Sequence, residues 1–146
     1  MFSCKSNEWE TPKCLFDELN KEFNFTLDPC CTKENHLCDK FYTMKEDGLS
    51  KNWENERVFV NPPYGREIGK WVKKCYEENQ KGIICVMLIP ARTDTKWFHD
   101  YIYNKAEIRF IKGRLKFINR TFPSYREDGN LKISPAPFPS MIVIYN

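Results

Sequence analysis

A short apolar run that stops at two prolines constrains this 146-residue chain more than any other feature. The run Val-Phe-Val at 58–60 is β-branched and aromatic, as is typical of a buried strand. Asn61, Pro62, Pro63 and Tyr64 follow it directly. Each proline fixes φ and lacks a backbone N–H, and Pro63 also holds Pro62 in extended geometry. The sequence therefore predicts a buried strand that ends in a rigid turn rich in hydrogen-bond acceptors.

This turn combines an amide oxygen, backbone carbonyls and an aromatic ring within four residues. Such a set can hold a planar amino group and stack on the ring that carries it. The alternative is a tight structural turn whose Tyr64 packs in the core, because Asn-Pro and Pro-Pro pairs are common in turns. The position of the turn, after a buried strand and before a helix, favours the functional interpretation.

Predicted strands and helices alternate along the chain. The strands are expected at 25–27, 41–43, 57–60, 83–89, 107–111, 115–118 and 141–145, and the helices at 11–23, 66–80 and 94–103. Alternation of this kind predicts an α/β fold with a mostly parallel sheet. Three strands end at Asp28-Pro29, Asn61-Pro62 and Pro90-Ala91. Because ligands of such sheets bind outside the carboxyl ends of strands, we expect these three ends to share one functional rim.

The length predicts a single domain over residues 1–146. Residues 119–139 contain four prolines and Gly129, which predicts a long loop that contacts the substrate. No apolar run approaches the ~20 residues of a membrane span, and the first residues lack an apolar signal core. We therefore expect a cytosolic protein that does not enter a membrane.

Charge is distributed unevenly along the chain. Residues 1–60 carry 8 Lys/Arg against 12 Asp/Glu, whereas residues 61–146 carry 15 against 8. Seven basic residues lie within 105–126 beside one acidic residue, Glu107. This cluster is either the solvated face of a strand pair or a surface that contacts nucleic-acid phosphates.

The turn at 61–64 resembles the (D/N/S)-P-P-(Y/F/W) motif of amino-methyltransferases that use S-adenosylmethionine (SAM). Further matching segments follow in the same order over essentially the whole chain. They are Trp-Glu-Thr-Pro at 9–12, Leu-Asp-Pro-Cys at 27–30, Phe-Tyr-Thr at 41–43, Asp-Gly-Leu at 47–49, Trp53, Asn-Pro-Pro-Tyr-Gly at 61–65, Leu-Ile-Pro-Ala-Arg-Thr-Asp-Thr at 88–95, Trp-Phe-His at 97–99, Gly-Arg-Leu-Lys-Phe at 113–117 and Phe-Pro-Ser at 138–140. In these segments the chain resembles the phage-type DNA N6-adenine methyltransferases.

The resemblance implies a minimal Rossmann-like methyltransferase fold, with a mostly parallel sheet, an antiparallel C-terminal strand and an antiparallel edge near the C-terminus. It implies a SAM-dependent, adenine-specific enzyme that methylates N6 of adenine in double-stranded DNA, with the base flipped out of the helix. No metal is expected. A phage-encoded chain would act in the cytoplasm of its bacterial host. A homodimer is one way for so small a chain to hold duplex DNA, and the sequence leaves the oligomeric state open.

The resemblance also implies roles for individual residues. The catalytic motif is Asn61, Pro62, Pro63 and Tyr64, in which the Asn61 and Pro62 oxygens accept from the amino group and Tyr64 stacks on the base. The implied cofactor contacts are Thr11, Pro12, Asp28, Pro29, Asp47 and Asn61, with Asp28 paired to the methionine ammonium. The predicted DNA contacts are Arg114, Lys116 and Arg120.

One feature departs from the wider methyltransferase class. SAM sites usually carry a glycine-rich turn after the first strand, whereas Cys-Cys-Thr follows Pro29 here. The sequence therefore does not predict how the methionine carboxylate is held.

Other functions remain as alternatives. Pro29-Cys30 is similar to the Pro-Cys nucleophile of cytosine-C5 methyltransferases, which would leave the Asn-Pro-Pro-Tyr motif unexplained. A zinc cluster would use Cys30, Cys31, His36 and Cys38, although their spacing lacks the usual pairing of structural zinc sites. The same methyl transfer to an RNA base or a protein glutamine, and an inactive nucleic-acid-binding module, are the remaining alternatives.

Overall fold

The structure is a computed structural model that describes residues 10–117 and 134–146. The elements along the chain are α1 (Lys13–Phe23), β1 (Leu27–Cys31), β2 (Lys40–Thr43), a 3₁₀ turn (Gly48–Ser50), β3 (Arg57–Val60), α2 (Ile68–Gln80), β4 (Ile84–Pro90), α3 (Lys96–Tyr101), β5 (Glu107–Phe110), β6 (Lys116–Phe117), β7 (Ser134–Pro135) and β8 (Ser140–Tyr145).

Six strands form one sheet in the order β2-β1-β3-β4-β8-β5. The first four strands are parallel to one another, and β8 is antiparallel to both of its neighbours, β4 and β5. The predicted α/β class and the antiparallel C-terminal strand are therefore confirmed. The predicted antiparallel edge near the C-terminus is also confirmed, because the edge strand β5 is antiparallel to β8. Strand β8 itself lies inside the sheet, and all six of its residues are buried.

Helices cover both faces of the sheet. On one face α1 buries Phe16, Leu19 and Phe23, and the Phe16 ring meets Phe59 of β3 edge-on at 5.3 Å. This helix ends at Asn24, which adopts the left-handed conformation common at helix C-termini. On the other face α2 buries an apolar side that includes Ile68, Trp71, Val72 and Cys75, in the pattern predicted for 66–80.

Two predicted segments differ from the structure. The strand predicted at 25–27 instead runs from Leu27 through Asp28 and Pro29 to Cys31. Pro29 is tolerated because the pairing with β2 is irregular between Asp28 and Cys31, where a missing N–H removes no regular bond. The end of the predicted loop at 119–139 contains β7, which pairs with β6. Residues 118–133, including Arg120, lie outside the described part of the chain.

The sheet order reverses between β1 and β3. From β1 the chain moves outward to β2, then returns to add β3 and β4 on the other side. In open α/β sheets a crevice forms at such a switch point, outside the carboxyl ends of the two strands. This topology places the residues that follow β3 beside those at the end of β1.

Candidate functional site

A cavity of about 530 Å³ lies at the carboxyl ends of β1 and β3. The sequence-predicted residues in its wall are Thr11, Asp28, Pro29, Asp47, Asn61, Pro62 and Pro63. Pro12, which directly precedes α1, and Tyr64 lie outside the wall. Residues that sequence reasoning missed complete the wall, among them Thr32, Asn35, Leu49, Glu67 and Trp71. The cavity thus joins the predicted cofactor residues to three of the four residues of the predicted catalytic motif.

A hydrogen bond links Thr11 to Asn61 across 50 residues of sequence. The Asn61 side-chain nitrogen, Nδ2, donates to the Thr11 hydroxyl at 3.0 Å. Thr11 is positioned by α1, which begins two residues later, and Asn61 by the end of β3. Because Nδ2 is directed at Thr11, the Oδ1 acceptor of the Asn61 amide points away from Thr11.

Asp28 is a carboxylate buried in the cavity wall, with 3% of its surface exposed. Its Oδ2 accepts from the Leu37 backbone N–H at 3.1 Å, and its Oδ1 accepts from the Cys30 N–H at 3.4 Å. Burial raises the pKa of Asp28 from its ordinary 3.8 to about 6, although these two bonds favour the charged form. No lysine or arginine pairs with it within the described residues. The site therefore holds a negative charge that a cationic ligand group would stabilise.

A glycine does approach the end of β1, but it comes from another segment. A Cβ added at Gly48 would collide with the Pro29 carbonyl oxygen, so only glycine fits there. The Gly48 carbonyl in turn accepts from the buried Trp53 indole N–H at 3.0 Å. Asp47 precedes this contact in a left-handed conformation, with φ of 57°, and reaches the cavity. The matched segment at 47–49 was the sequence signal for this close approach.

Two reciprocal hydrogen bonds close the loop that follows β1. The Thr32 N–H donates to Asn35 Oδ1 at 2.7 Å, and the Asn35 N–H donates to the Thr32 hydroxyl at 3.2 Å. Both residues line the cavity. A side-chain-stabilised turn thus occupies the place where the wider methyltransferase class carries glycines.

Tyr64 lies beneath the motif rather than in the cavity wall. Its side chain is buried, its hydroxyl donates to the Leu88 carbonyl at 3.2 Å, and its ring meets Phe138 nearly perpendicularly at 5.4 Å. Burial raises the pKa of the phenol well above its ordinary value. Tyr64 therefore packs in the core, as in the alternative interpretation of the turn as purely structural. Stacking of its ring on a base requires Tyr64 and Phe138 to separate.

The residues of the basic cluster differ in whether an acidic side chain already neutralises their charge. Arg109 forms a two-pronged ion pair with Glu22, at 2.8 Å for both bonds, and a further bond to Glu107 at 2.6 Å. Arg114 is exposed and makes a long contact of 3.5 Å to the Ala136 carbonyl. Lys116 is exposed and has no acidic partner among the residues that the structure describes. Arg109 is thus the least suited of the three to bind phosphate.

The cysteine-rich segment does not form a metal cluster. Within residues 10–117 and 134–146, no three His, Cys, Asp or Glu residues are arranged to hold a metal ion. His36 instead stacks on Phe41 at 3.9 Å, and its Nδ1 lies 2.8 Å from the Cys38 carbonyl oxygen. Burial raises the pKa of Cys38 to about 12 and that of Cys31 further, so both thiols stay neutral.

Comparison with known proteins identifies the family of this chain. The family described as DNA N-6-adenine-methyltransferase (Dam) matches residues 3–145. The chain belongs to the Dam family. The match covers nearly the whole sequence, so the resemblance stated above is confirmed. Dam-family proteins methylate N6 of adenine in DNA, and membership implies SAM as the methyl donor.

Two phage proteins are similar to this Dam-family chain. It is 35% identical to the DNA N-6-adenine-methyltransferase of Escherichia phage T1 over 109 residues, which cover 73% of the chain and 45% of the relative. It is 27% identical to the enzyme of the same description from Haemophilus phage HP1 over 140 residues, which cover 94% and 77%. The chain thus spans less than half of the T1 enzyme and about three quarters of the HP1 enzyme.

The family description concerns methylation of an exocyclic amine, which does not match the cytosine-C5 interpretation of Pro29-Cys30. Among the described residues, no helix has both the length and the apolar character to cross a membrane.

Proposed function

We propose that this chain transfers the methyl group of SAM to N6 of an adenine in DNA, with Asn61 and Pro62 as the groups that hold the reacting amine. One observation supports this assignment most directly. The hydrogen bond from Asn61 to Thr11 joins the predicted catalytic motif to the predicted cofactor segment in the wall of one cavity, which also contains the buried Asp28.

The cavity suits SAM in size and in chemistry. Its volume of about 530 Å³ lies within the usual range for small-molecule sites. Asp28 offers a buried carboxylate to the methionine ammonium, and Leu49 and Trp71 offer apolar surface to the rest of the cofactor. When bound, SAM supplies a methyl group activated by its sulfonium.

The residues of the turn activate the adenine. The N6 lone pair is delocalised into the ring, which makes the amine a weak nucleophile. Asn61 Oδ1 and the Pro62 carbonyl accept its two hydrogens and draw the nitrogen toward tetrahedral geometry, which frees the lone pair for in-line attack. The rigid Pro-Pro turn fixes the Pro62 carbonyl and the bond to Thr11 orients the Asn61 amide, so both acceptors stabilise the transition state with little reorganisation. The reaction needs no Lewis acid, and we propose no metal for it.

The proposed function is tested by incubating the protein with methyl-labelled SAM and unmethylated duplex DNA. We expect N6-methyladenine, identified by mass spectrometry of the digested DNA. Parallel reactions contain RNA or a glutamine-containing protein instead. Label in one of these but not in DNA would contradict the assignment, and SAM-independent DNA binding without any transfer would instead support the inactive module.

A separate prediction concerns the DNA surface. Arg114→Ala and Lys116→Ala are each expected to weaken DNA binding and to lower the slope of log affinity against log salt by about 1, because each removes one phosphate contact. Arg109→Ala is the matched control, since this arginine is already paired with Glu22 and Glu107. Fluorescence anisotropy at several salt concentrations measures the slopes, and equal slopes for all three variants and the unaltered chain would exclude the surface.

Three expectations stand beside this proposal. Residues 1–146 are expected to form a single domain, the loop at 119–139 is expected to contact the DNA together with Arg120, and a homodimer is one way for so small a chain to hold the duplex. The exposed Phe110 on β5, at the edge of the six-stranded sheet, is a candidate contact between copies.

A further inference from the structure

Ser140 is a buried polar residue that the site described above does not use. It opens β8, whose other five residues are apolar or aromatic, and 1% of its surface is exposed. Its hydroxyl has no hydrogen-bond partner within the described residues. A buried hydroxyl without a partner costs stability, so its presence in an otherwise apolar strand calls for an explanation.

The register of the sheet places Ser140 on the same face as Asn61. Residues paired across neighbouring strands point to the same side, and successive residues alternate. Phe59 faces α1 and pairs with Val86, so Pro90 in the same strand and its partner Ser140 also face α1. Asn61 follows Phe59 by two residues and bonds to Thr11, which immediately precedes Pro12 and α1.

The register of the sheet separates Asn61 from Ser140 by one strand and two residues. Asn61 is level with Leu88, whereas Ser140 pairs with Pro90, two residues further toward the rim. Only β4 lies between their strands, so their backbones are roughly 10 Å apart across the sheet and roughly 7 Å apart along it. The Tyr64 hydroxyl ends on this intervening strand, at the Leu88 carbonyl.

The backbone of β8 is fixed on both sides at this point. The Ala91 N–H donates to the Pro139 carbonyl at 2.9 Å, and the Ile111 N–H donates to the Ser140 carbonyl at 3.1 Å. The backbone and Cβ of Ser140 are therefore held at a defined position before any ligand binds, which is the arrangement expected of a binding residue.

We propose that the Ser140 hydroxyl donates a hydrogen bond to a ring nitrogen of the flipped adenine whose amino group is held at Asn61, and thereby selects adenine. This inference rests on the proposed function. The base enters where Tyr64 and Phe138 now pack together, two residues before Ser140. A cytosine also carries an exocyclic amine with a ring nitrogen beside it, but it has no counterpart of adenine N3 or N7, so a bond to one of these two nitrogens selects adenine. The unpaired hydroxyl destabilises the free protein, and a hydrogen bond to the correct base removes this destabilisation.

The test combines a serine variant with altered bases. Ser140→Ala should keep or raise the melting temperature, because it removes an unpaired buried hydroxyl, and should leave SAM affinity unchanged. It should lower kcat/KM for DNA about tenfold, as expected for one neutral hydrogen bond. Duplexes in which adenine is replaced by 1-deaza-, 3-deaza- or 7-deazaadenine each remove one ring nitrogen. Either 3-deaza- or 7-deazaadenine should cost the unaltered enzyme about tenfold and cost Ser140→Ala nothing further, which also identifies the nitrogen, whereas 1-deazaadenine should affect both proteins equally. Ser140→Cys, with a weaker donor of similar size, should fall in between.

Two results would overturn this inference. One is equal transfer by the unaltered enzyme and Ser140→Ala, and the other is a set of analogue penalties that are the same in both proteins. Failure of the unaltered enzyme to methylate ordinary adenine is a different result, since it contradicts the proposed function itself.

Discussion

Asn61→Ala is expected to reduce methyl transfer to DNA by about 100- to 1,000-fold, the loss typical of removing a preorganised group that stabilises a transition state. The variant removes an acceptor from the reacting amine. It also removes the bond to Thr11, which is a neutral hydrogen bond and should cost SAM affinity less than about tenfold. Labelled-methyl transfer and SAM calorimetry measure the two effects separately.

Two further variants sharpen this prediction. Asn61→Asp keeps an acceptor at the position that the (D/N/S)-P-P-(Y/F/W) motif allows to be acidic, and should retain activity. Asn52→Ala removes an exposed asparagine outside the cavity, where its oxygen accepts only from the Glu54 N–H, and should transfer methyl groups normally. Full activity of Asn61→Ala would exclude the proposed mechanism.

Asp28→Asn should have opposite effects on SAM binding and on the stability of the free protein. The variant removes the proposed partner of the methionine ammonium, so SAM affinity should fall by about 100-fold or more. It also removes a buried negative charge that no lysine or arginine of the described chain neutralises. The ligand-free variant should therefore unfold at the same or a higher temperature than the unaltered protein at neutral pH.

The raised pKa of Asp28 also predicts how protein stability and SAM affinity change with pH. Because the pKa of Asp28 is raised from 3.8 to about 6 on folding, the folded state binds its proton more tightly than the unfolded state does. The stability associated with that proton is complete below pH 3.8 and is lost as the pH rises through about 6, in total about 3 kcal/mol. SAM pairs with the charged form, so its affinity should increase with pH over the same window and level off above it.

Thermal unfolding between pH 4 and 8, with and without SAM, measures the pH dependence of stability and of SAM affinity. The Asp28→Asn protein should lack this component of the pH dependence. Asp17→Asn is the matched control, since it removes an exposed aspartate that pairs with Lys13 on α1 and should leave SAM binding unchanged. Unchanged SAM affinity in Asp28→Asn would remove this residue from the cofactor site.

The parts of this fold that the sequence predicted well are those set by local patterns. The run at 58–60 and the apolar stretch that became β4 are strands because β-branched and aromatic residues are buried on both faces there. The turn at Asn61 follows from the prolines alone. Thr11 and Asp28 were predicted through resemblance, and the structure places both beside Asn61 in one cavity.

The parts that the sequence did not predict depend on contacts between distant segments. Gly48 is required by the Pro29 carbonyl, 19 positions earlier, and no local pattern contains that collision. Arg109 belonged to a basic cluster by sequence, but Glu22 on α1 neutralises it. The packing of Tyr64 against Phe138 depends on how the segment before β8 folds back over the motif, which periodicity does not describe.

The interior position of β8 has a consequence for how the molecule is made. Residues 140–145 are the last of the described strands along the sequence, yet they supply the only sheet partner of β5 in the described structure and one of the two partners of β4. Until they have been synthesised, β4 has an unpaired apolar edge, which is a site of misassembly. The sheet therefore closes only after synthesis has passed residue 145.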